Sequence, residues 1–135
     1  MIDFLGKLVG YYRQEVSRNF LSVGQFMRPV TFDKPAVMPT IVYKEGIEFP
    51  AVQSGVFRDV DGRLAVFVVN AGANPVTYRA ELDLVQYGMP ADAKVAVETI
   101  SWEGVRTKIA GGSTSPVELA GTLSGRDVVM LHIEP

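Results

Sequence analysis

Leu64 to Val69 is an uninterrupted apolar run, Leu-Ala-Val-Phe-Val-Val, and it stands just behind Asp61-Gly62. Asp-Gly between apolar flanks is the strongest short hairpin signal, so the spacing predicts a strand over Arg63–Asn70 that leaves a tight turn. A strand with one wet face alternates apolar and polar residues, whereas this one is apolar on both faces. It is therefore expected to be central and covered on both sides. Whatever the chain folds into must bring one apolar layer to each face of this strand.

The segments around it have the texture to supply a sheet. Val76, Tyr78, Ala80, Leu82 and Leu84 alternate with Thr77, Arg79, Glu81 and Asp83, the period of a strand with one face in a core. Short runs rich in β-branched and aromatic residues recur at Thr40–Lys44, Ala51–Arg58, Lys94–Trp102, Val105–Ala110, Val117–Leu123 and Asp127–Glu134. Turn signals separate them: Ala71 to Pro75, Glu103-Gly104 as a second tight hairpin, and a loop over Gly111 to Pro116. About eight short strands at this spacing predict a mainly β fold, an antiparallel β-sandwich, with a closed barrel as the alternative.

The first segment reads differently. Leu5, Leu8, Val9, Tyr12, Val16 and Phe20 fall at helical spacing, and Asp3 is placed to cap the helix. Phe4 and Tyr11 widen the apolar stripe, so this N-terminal helix is expected to be buried on more than one side. Gly6 and Gly10 each weaken it by up to about 1 kcal/mol, so packing must hold it. Phe4, Leu5, Leu8, Val9, Tyr12, Val16 and Phe20 are the expected interface residues. Prolines at 29, 35, 39 and 50 exclude helix beyond this point. The organisation expected is a helix and its exit over residues 1–28, a proline-containing linker over 29–39, and a sandwich over 40–135.

Charge and composition exclude several function classes. Lys plus Arg is 13 and Asp plus Glu is 15, a net charge of −2 and a poor match for nucleic acid or an anionic membrane. Four bases against two acids give residues 1–28 a net +2, and nine against thirteen give the remainder −4. There is no cysteine and one histidine, which removes thiolate and multi-histidine metal sites. No cofactor is expected. The strand-region apolar run is far short of the ~20 residues of a spanning helix. Met1-Ile2-Asp3 puts an acid where a secretory leader carries a base. The cellular address is not readable.

Few residues carry the marks of chemistry. Asp59 and Asp61 are the carboxylates closest together on an expected loop, but beside a hairpin aspartate serves local hydrogen bonds, and the later ligands of a calcium loop are missing. His132 is expected to share a strand face with Val128 and Met130 and to pack there. Gly111-Gly112 lacks the strand-to-helix context of a phosphate loop. Trp102, beside Glu103 at a hairpin tip, could stack on a sugar face; the competing reading is an anchor for the hairpin. Tyr43, Tyr78 and Tyr87 form no recognisable platform. No catalytic and no metal-binding residue is assigned.

Three stretches carry a family resemblance. Val56–Asn70 has an acidic turn, then Gly62-Arg63-Leu64, then an apolar run ending in Asn; Leu123–Pro135 has Ser-Gly-Arg-Asp leading into a long apolar strand. Both resemble the C-terminal β-sandwich domains of TIM-barrel glycoside hydrolases. Phe4–Arg13 is similar to the last helix of their barrel, and residues 29–39 to the connector that follows it. The resemblance implies a non-catalytic accessory domain that packs on a catalytic barrel, with the catalytic acids in the barrel and none here. It implies a barrel as partner; alone, the helix would fold onto the sandwich or bury itself in self-association. The competing readings are a carbohydrate-binding module using Trp102 and Glu103, a protein-binding sandwich unrelated to sugars, and, least favoured, an independent enzyme.

Overall fold

Both faces of the Leu64–Asn70 strand are covered, and by different layers. In this computed structural model, which describes residues 4–33, 40–42 and 48–135, the strands are β1 (Gln25–Met27), β2 (Thr40–Val42), β3 (Glu48–Pro50), β4 (Val52–Arg58), β5 (Leu64–Asn70), β6 (Val76–Leu82), β7 (Val95–Ile100), β8 (Arg106–Ser113), β9 (Val117–Leu123) and β10 (Asp127–Glu134). Six of them form an antiparallel sheet in the order β1-β4-β5-β10-β7-β8, while β6 pairs with β9 and β2 with β3. The fold is mainly β, an open antiparallel sandwich rather than a closed barrel. The expected strands are all represented, and β1 and β3 are added to them.

One face of the large sheet packs on the β6–β9 ribbon. Leu64, Val66 and Val68 point there from β5, and Leu131 and Ile133 from β10. The ribbon answers with alternate residues, Tyr78, Ala80 and Leu82 from β6. The opposite residues of β5, Ala65 and Phe67, point into a second core under the helices, with Val128 and Met130 of β10. Each fully buried aliphatic side chain contributes roughly 1.5–3 kcal/mol of transfer free energy, so β5 and β10, which contribute to both cores, stabilise the sheet from both faces.

The helical segment departs from expectation. Instead of one helix carrying the periodic positions from Leu5 to Phe20 there are two, α1 (Phe4–Arg13) and α2 (Glu15–Leu21), divided at Gln14, whose backbone is extended (φ −81°, ψ 132°). The Gln14 side-chain amide donates to the carbonyls of Ser101 at 2.9 Å and Trp102 at 3.0 Å, which fastens the break to the β7–β8 hairpin. The expected cap at Asp3 lies outside the described residues, as do Pro35, Pro39 and Tyr43.

Two further expectations are corrected. The strand from Val76 stops at Leu82: Asp83 accepts a hydrogen bond from the Val85 amide and starts a 3₁₀ turn over Leu84–Tyr87, which buries Leu84 outside the ladder. The Gly111–Pro116 loop is shortened because β8 runs on to Ser113. The pairing shifts between Val97↔Ala110 and Val95↔Ser113, and Gly112 takes up the extra length at φ +68°. Residues on either side of position 29 also pack on the sandwich. Val30 and Phe32 are buried in the first core, Phe32 bridges to Ala80, and β1 pairs with β4 from within the expected helix exit.

Burial raises the phenol pKa of Tyr11 and Tyr78 above the ordinary 10.0, and that of Tyr87 as well, although nearby Arg28 lowers the last. For Tyr11 a hydrogen bond works in the opposite sense but burial prevails. A raised native pKa means that the unfolded chain loses these protons first as pH climbs. The stability is fully present below the ordinary tyrosine value and declines above it. Urea midpoints measured from pH about 9 to about 11 are expected to fall, and the decline to be shallower in Tyr11→Phe. A midpoint independent of pH over that range would contradict the burial of these phenols.

Candidate docking face

The helix layer is held to the sheet by a small set of side chains from α1 and α2. Tyr11 is fully buried, and its hydroxyl donates to the carbonyls of Ile100 at 2.8 Å and Val128 at 3.2 Å, on two different strands. Ser17, also fully buried, donates to the Met130 sulfur at 3.3 Å. Lys7 pairs with Asp127 at 2.8 Å. Gly10, which weakens the helix intrinsically, is the place where the hairpin comes closest. A Cβ there would stand 2.7 Å from the Trp102 carbonyl oxygen and 3.1 Å from its Cε3. The cost in helix propensity admits a close contact that no other residue allows.

The expected interface residues divide into two sets. Phe20 is 1% exposed, and Leu8 and Val16 are half-buried against the second core. Leu5, Val9 and Tyr12 point outward, at 68%, 47% and 52% exposure. Phe4 begins α1, and its side chain is outside the described residues. The outward set is spaced i, i+4, i+7, the seam of one helix against a second helix.

Beside that seam lies an apolar groove of about 440 Å³, walled by Leu8, Tyr12 and Leu21 from the helices and by Phe57, Phe67 and Val69 from the sheet. Its aromatic lining continues outward along a chain of edge-to-face contacts. Tyr11 meets Phe67 at 5.4 Å between centroids, Phe67 meets Phe57 at 5.8 Å, and Phe57 meets Phe26 at 5.4 Å. Phe26 sits on the edge strand β1 and is 64% exposed. The chain thus runs from the buried centre of the helix–sheet contact to the rim.

At the other end of the same sheet face the surface turns polar. His132 is buried, with Nδ1 3.0 Å from Glu98 and its ring edge-on to Phe20 at 5.6 Å. It does share the helix-side face with Val128 and Met130. Glu98 is gripped by Arg106, whose hydrogen bond is the main reason its carboxyl is held below the usual range; burial opposes this, and His132 adds to it. The pair acts as a strut between β10, β7 and β8.

The remaining candidates can be placed. Asp59 accepts from the amides of Asp61 and Arg63 and from the Arg63 guanidinium at 2.6 Å, which makes it the organiser of the β4–β5 turn. Trp102 is half-buried and packs on the helix layer, with Glu103 exposed next to it. Among the described residues no three His, Cys, Asp or Glu side chains converge to hold a metal ion. No helix among them is long and apolar enough to cross a membrane.

No protein-family model and no curated protein matches this sequence. Solved structures match in shape. One is a family GH27 β-L-arabinopyranosidase from Geobacillus stearothermophilus, with 14% identity over 73% of this chain and a TM-score of 0.44. Another is a family 30 subfamily 8 xylanase from Clostridium acetobutylicum, with 13% identity over 63% of this chain and a TM-score of 0.41. A third is a GH30 endoxylanase from Clostridium papyrosolvens, with 10% identity over 63% and a TM-score of 0.40. The chain spans about a fifth of the length of each, 19%, 21% and 20% respectively.

Proposed function

We propose that the chain is a non-catalytic accessory domain of a glycoside hydrolase and that it seats on the neighbouring catalytic module through its helix layer. The observation that carries this reading is the outward seam of α1. Tyr11, Lys7 and Gln14 already lock the layer to its own sheet, yet Leu5, Val9 and Tyr12 remain as a contiguous apolar strip. Apolar strips next to an apolar groove mark interaction surfaces rather than isolated exposed residues. The sequence resemblance in residues 4–13, 56–70 and 123–135 supplies the class of parent.

Two measurements test this. The purified chain is expected to give no turnover of a panel of aryl glycosides; turnover that copurifies with the chain overturns the reading. The triple variant Leu5→Ser, Val9→Ser, Tyr12→Ser is expected to lose dye binding to exposed apolar surface. Its unfolding free energy should change by only about 1 kcal/mol, because surface positions away from special features tolerate substitution. A loss on the scale of a core truncation would show that these residues serve the fold and not a partner.

A further inference from the structure

Arg58 closes β4, and its side chain lies between two turns, one from each layer. Its Nη1 and Cζ are 2.9 and 3.0 Å from where a Cβ on Gly88 would stand, and its Nη2 is 3.7 Å from the same point on Gly62. Gly88 follows the Leu84–Tyr87 turn behind β6, and Gly62 belongs to the turn between β4 and β5. Both have left-handed backbones, φ +86° and +82°. A side chain at Gly88 would push the guanidinium out, so the close seat exists because glycine is there. The acids of the two turns face elsewhere. Asp59 and Asp61 are bonded to Arg63, and Asp83 accepts from the Val85 amide at 3.1 Å and the Ser115 hydroxyl at 3.2 Å.

Among the described residues no hydrogen bond and no ion pair ends on the Arg58 guanidinium. That sets it apart from the other arginines. Arg63, Arg79 and Arg106 are paired with acids. Arg13, Arg18, Arg28 and Arg126 are exposed, so water serves their donors. Arg58 is half-buried, held in place, and has its donors unspent. We infer that it is the fork of an oxyanion site, which takes a carboxylate or phosphate group at the junction of the 59–62 and 84–88 turns. A guanidinium presents parallel N–H groups to two oxygens of such an anion. Seating against Gly88 has already restricted the side chain, so less freedom is lost on binding. Arg28 donates from Nη1 to Gln86 at 3.3 Å and so offsets Asp83 with a second positive charge on the same turn.

The test uses the full chain, isotope-labelled, at neutral pH. Inorganic phosphate and acetate are titrated in separately at constant ionic strength, so that screening does not change. Saturable shifts are expected at the amides of residues 59–63 and 86–89, with an apparent dissociation constant of about 10 mM or below for phosphate. Arg58→Gln is expected to weaken binding about tenfold or more, and Arg58→Lys, which keeps the charge and loses the fork, about threefold. Arg126→Gln, the loss of an exposed arginine, is expected to leave binding unchanged. The map of shifts in the parent chain stands even where a variant fails to fold. Saturation by phosphate alone identifies a phosphate group as the ligand, and saturation by both anions a fork that also takes carboxylates; either supports the site. Shifts that grow linearly, or that appear equally around Arg13, Arg18 and Arg126, mean an adventitious ion only and overturn it. No shift at the two turns, or binding unchanged in a folded Arg58→Gln variant, overturns it as well. None of these outcomes involves the helix layer, so the accessory-domain reading is tested separately.

Discussion

Tyr11→Ala is expected to lower the unfolding free energy by about 3–5 kcal/mol, the range for removing a buried aromatic ring. The ring is fully buried and meets Phe67 edge-on at 5.4 Å, and its hydroxyl bonds two strands at once, through Ile100 and Val128. Its loss leaves a cavity at the centre of the helix–sheet contact and two carbonyls short of a donor. Tyr11→Phe isolates the second effect and is expected to cost about 1 kcal/mol. The neighbouring Tyr12→Ala removes a ring of the same kind that is 52% exposed, and is expected to cost far less. Urea unfolding measures all three. The single tryptophan gives an independent readout, since Trp102 packs on α1 at Gly10. Its emission is expected to move to longer wavelength in Tyr11→Ala, as the helix layer loosens. Equal costs for Tyr11→Ala and Tyr12→Ala would show that the layer is not docked.

Those two tyrosines also mark the limit of what a sequence can say about such a layer. The spacing of Leu5, Leu8, Val9, Tyr12 and Phe20 shows that the segment is helical and that it is apolar around much of its girth. It does not show which arc faces the sheet. A narrow stripe has only one way to be buried, whereas a wide one can be rotated. Here the rotation is set by Tyr11, whose hydroxyl reaches carbonyls of both β7 and β10. The break at Gln14 was invisible for a similar reason. Nothing in Arg13-Gln14-Glu15 disfavours helix, and the turn is held by carbonyls 87 and 88 residues away in sequence.

The strands were more legible, because their signals are local. Two-sided apolarity marked β5 as covered on both faces, and strict alternation marked β6 as half-buried. The errors fall where a local rule met a competing one. Leu84 continues the period of two, but Asp83 before it caps a 3₁₀ turn, and the cap prevails. Gly111 and Gly112 carry a loop signal, yet glycine also serves a bulge inside a strand, and the pairing with β7 decides in favour of the strand. The groove itself could not be read, since Phe26, Phe57 and Phe67 come from three strands and meet only through register, Phe26 opposite Phe57.

Asn70 ends the β5 run, and substitutions there are expected to have the second-largest effect. It is fully buried. Its Nδ2 donates to the carbonyls of Asn74 at 2.8 Å and Ser124 at 3.0 Å, and its Oδ1 accepts from the Gly72 amide at 3.0 Å. One side chain thereby fastens the β5–β6 turn to the β9–β10 turn. Asn70→Ala leaves two carbonyls and one amide short of partners, and at roughly 1 kcal/mol or more apiece the expected cost is about 3 kcal/mol. Asn70→Asp is the sharper test. It keeps the acceptor for Gly72 but sets a carboxylate oxygen against two carbonyl oxygens, with no donor between them. At neutral pH the aspartate variant is therefore expected to be less stable than the alanine variant, although it is nearly isosteric with asparagine. Protonation restores one donor, so the native state holds that proton more tightly than the unfolded chain does. The stability of Asn70→Asp should consequently rise as pH falls toward the ordinary carboxyl range, while Asn70→Ala shows no such recovery. An aspartate variant as stable as the parent at neutral pH would mean that the two turns are not joined through this side chain, and that β5 ends without the tie that closes the sandwich at that end.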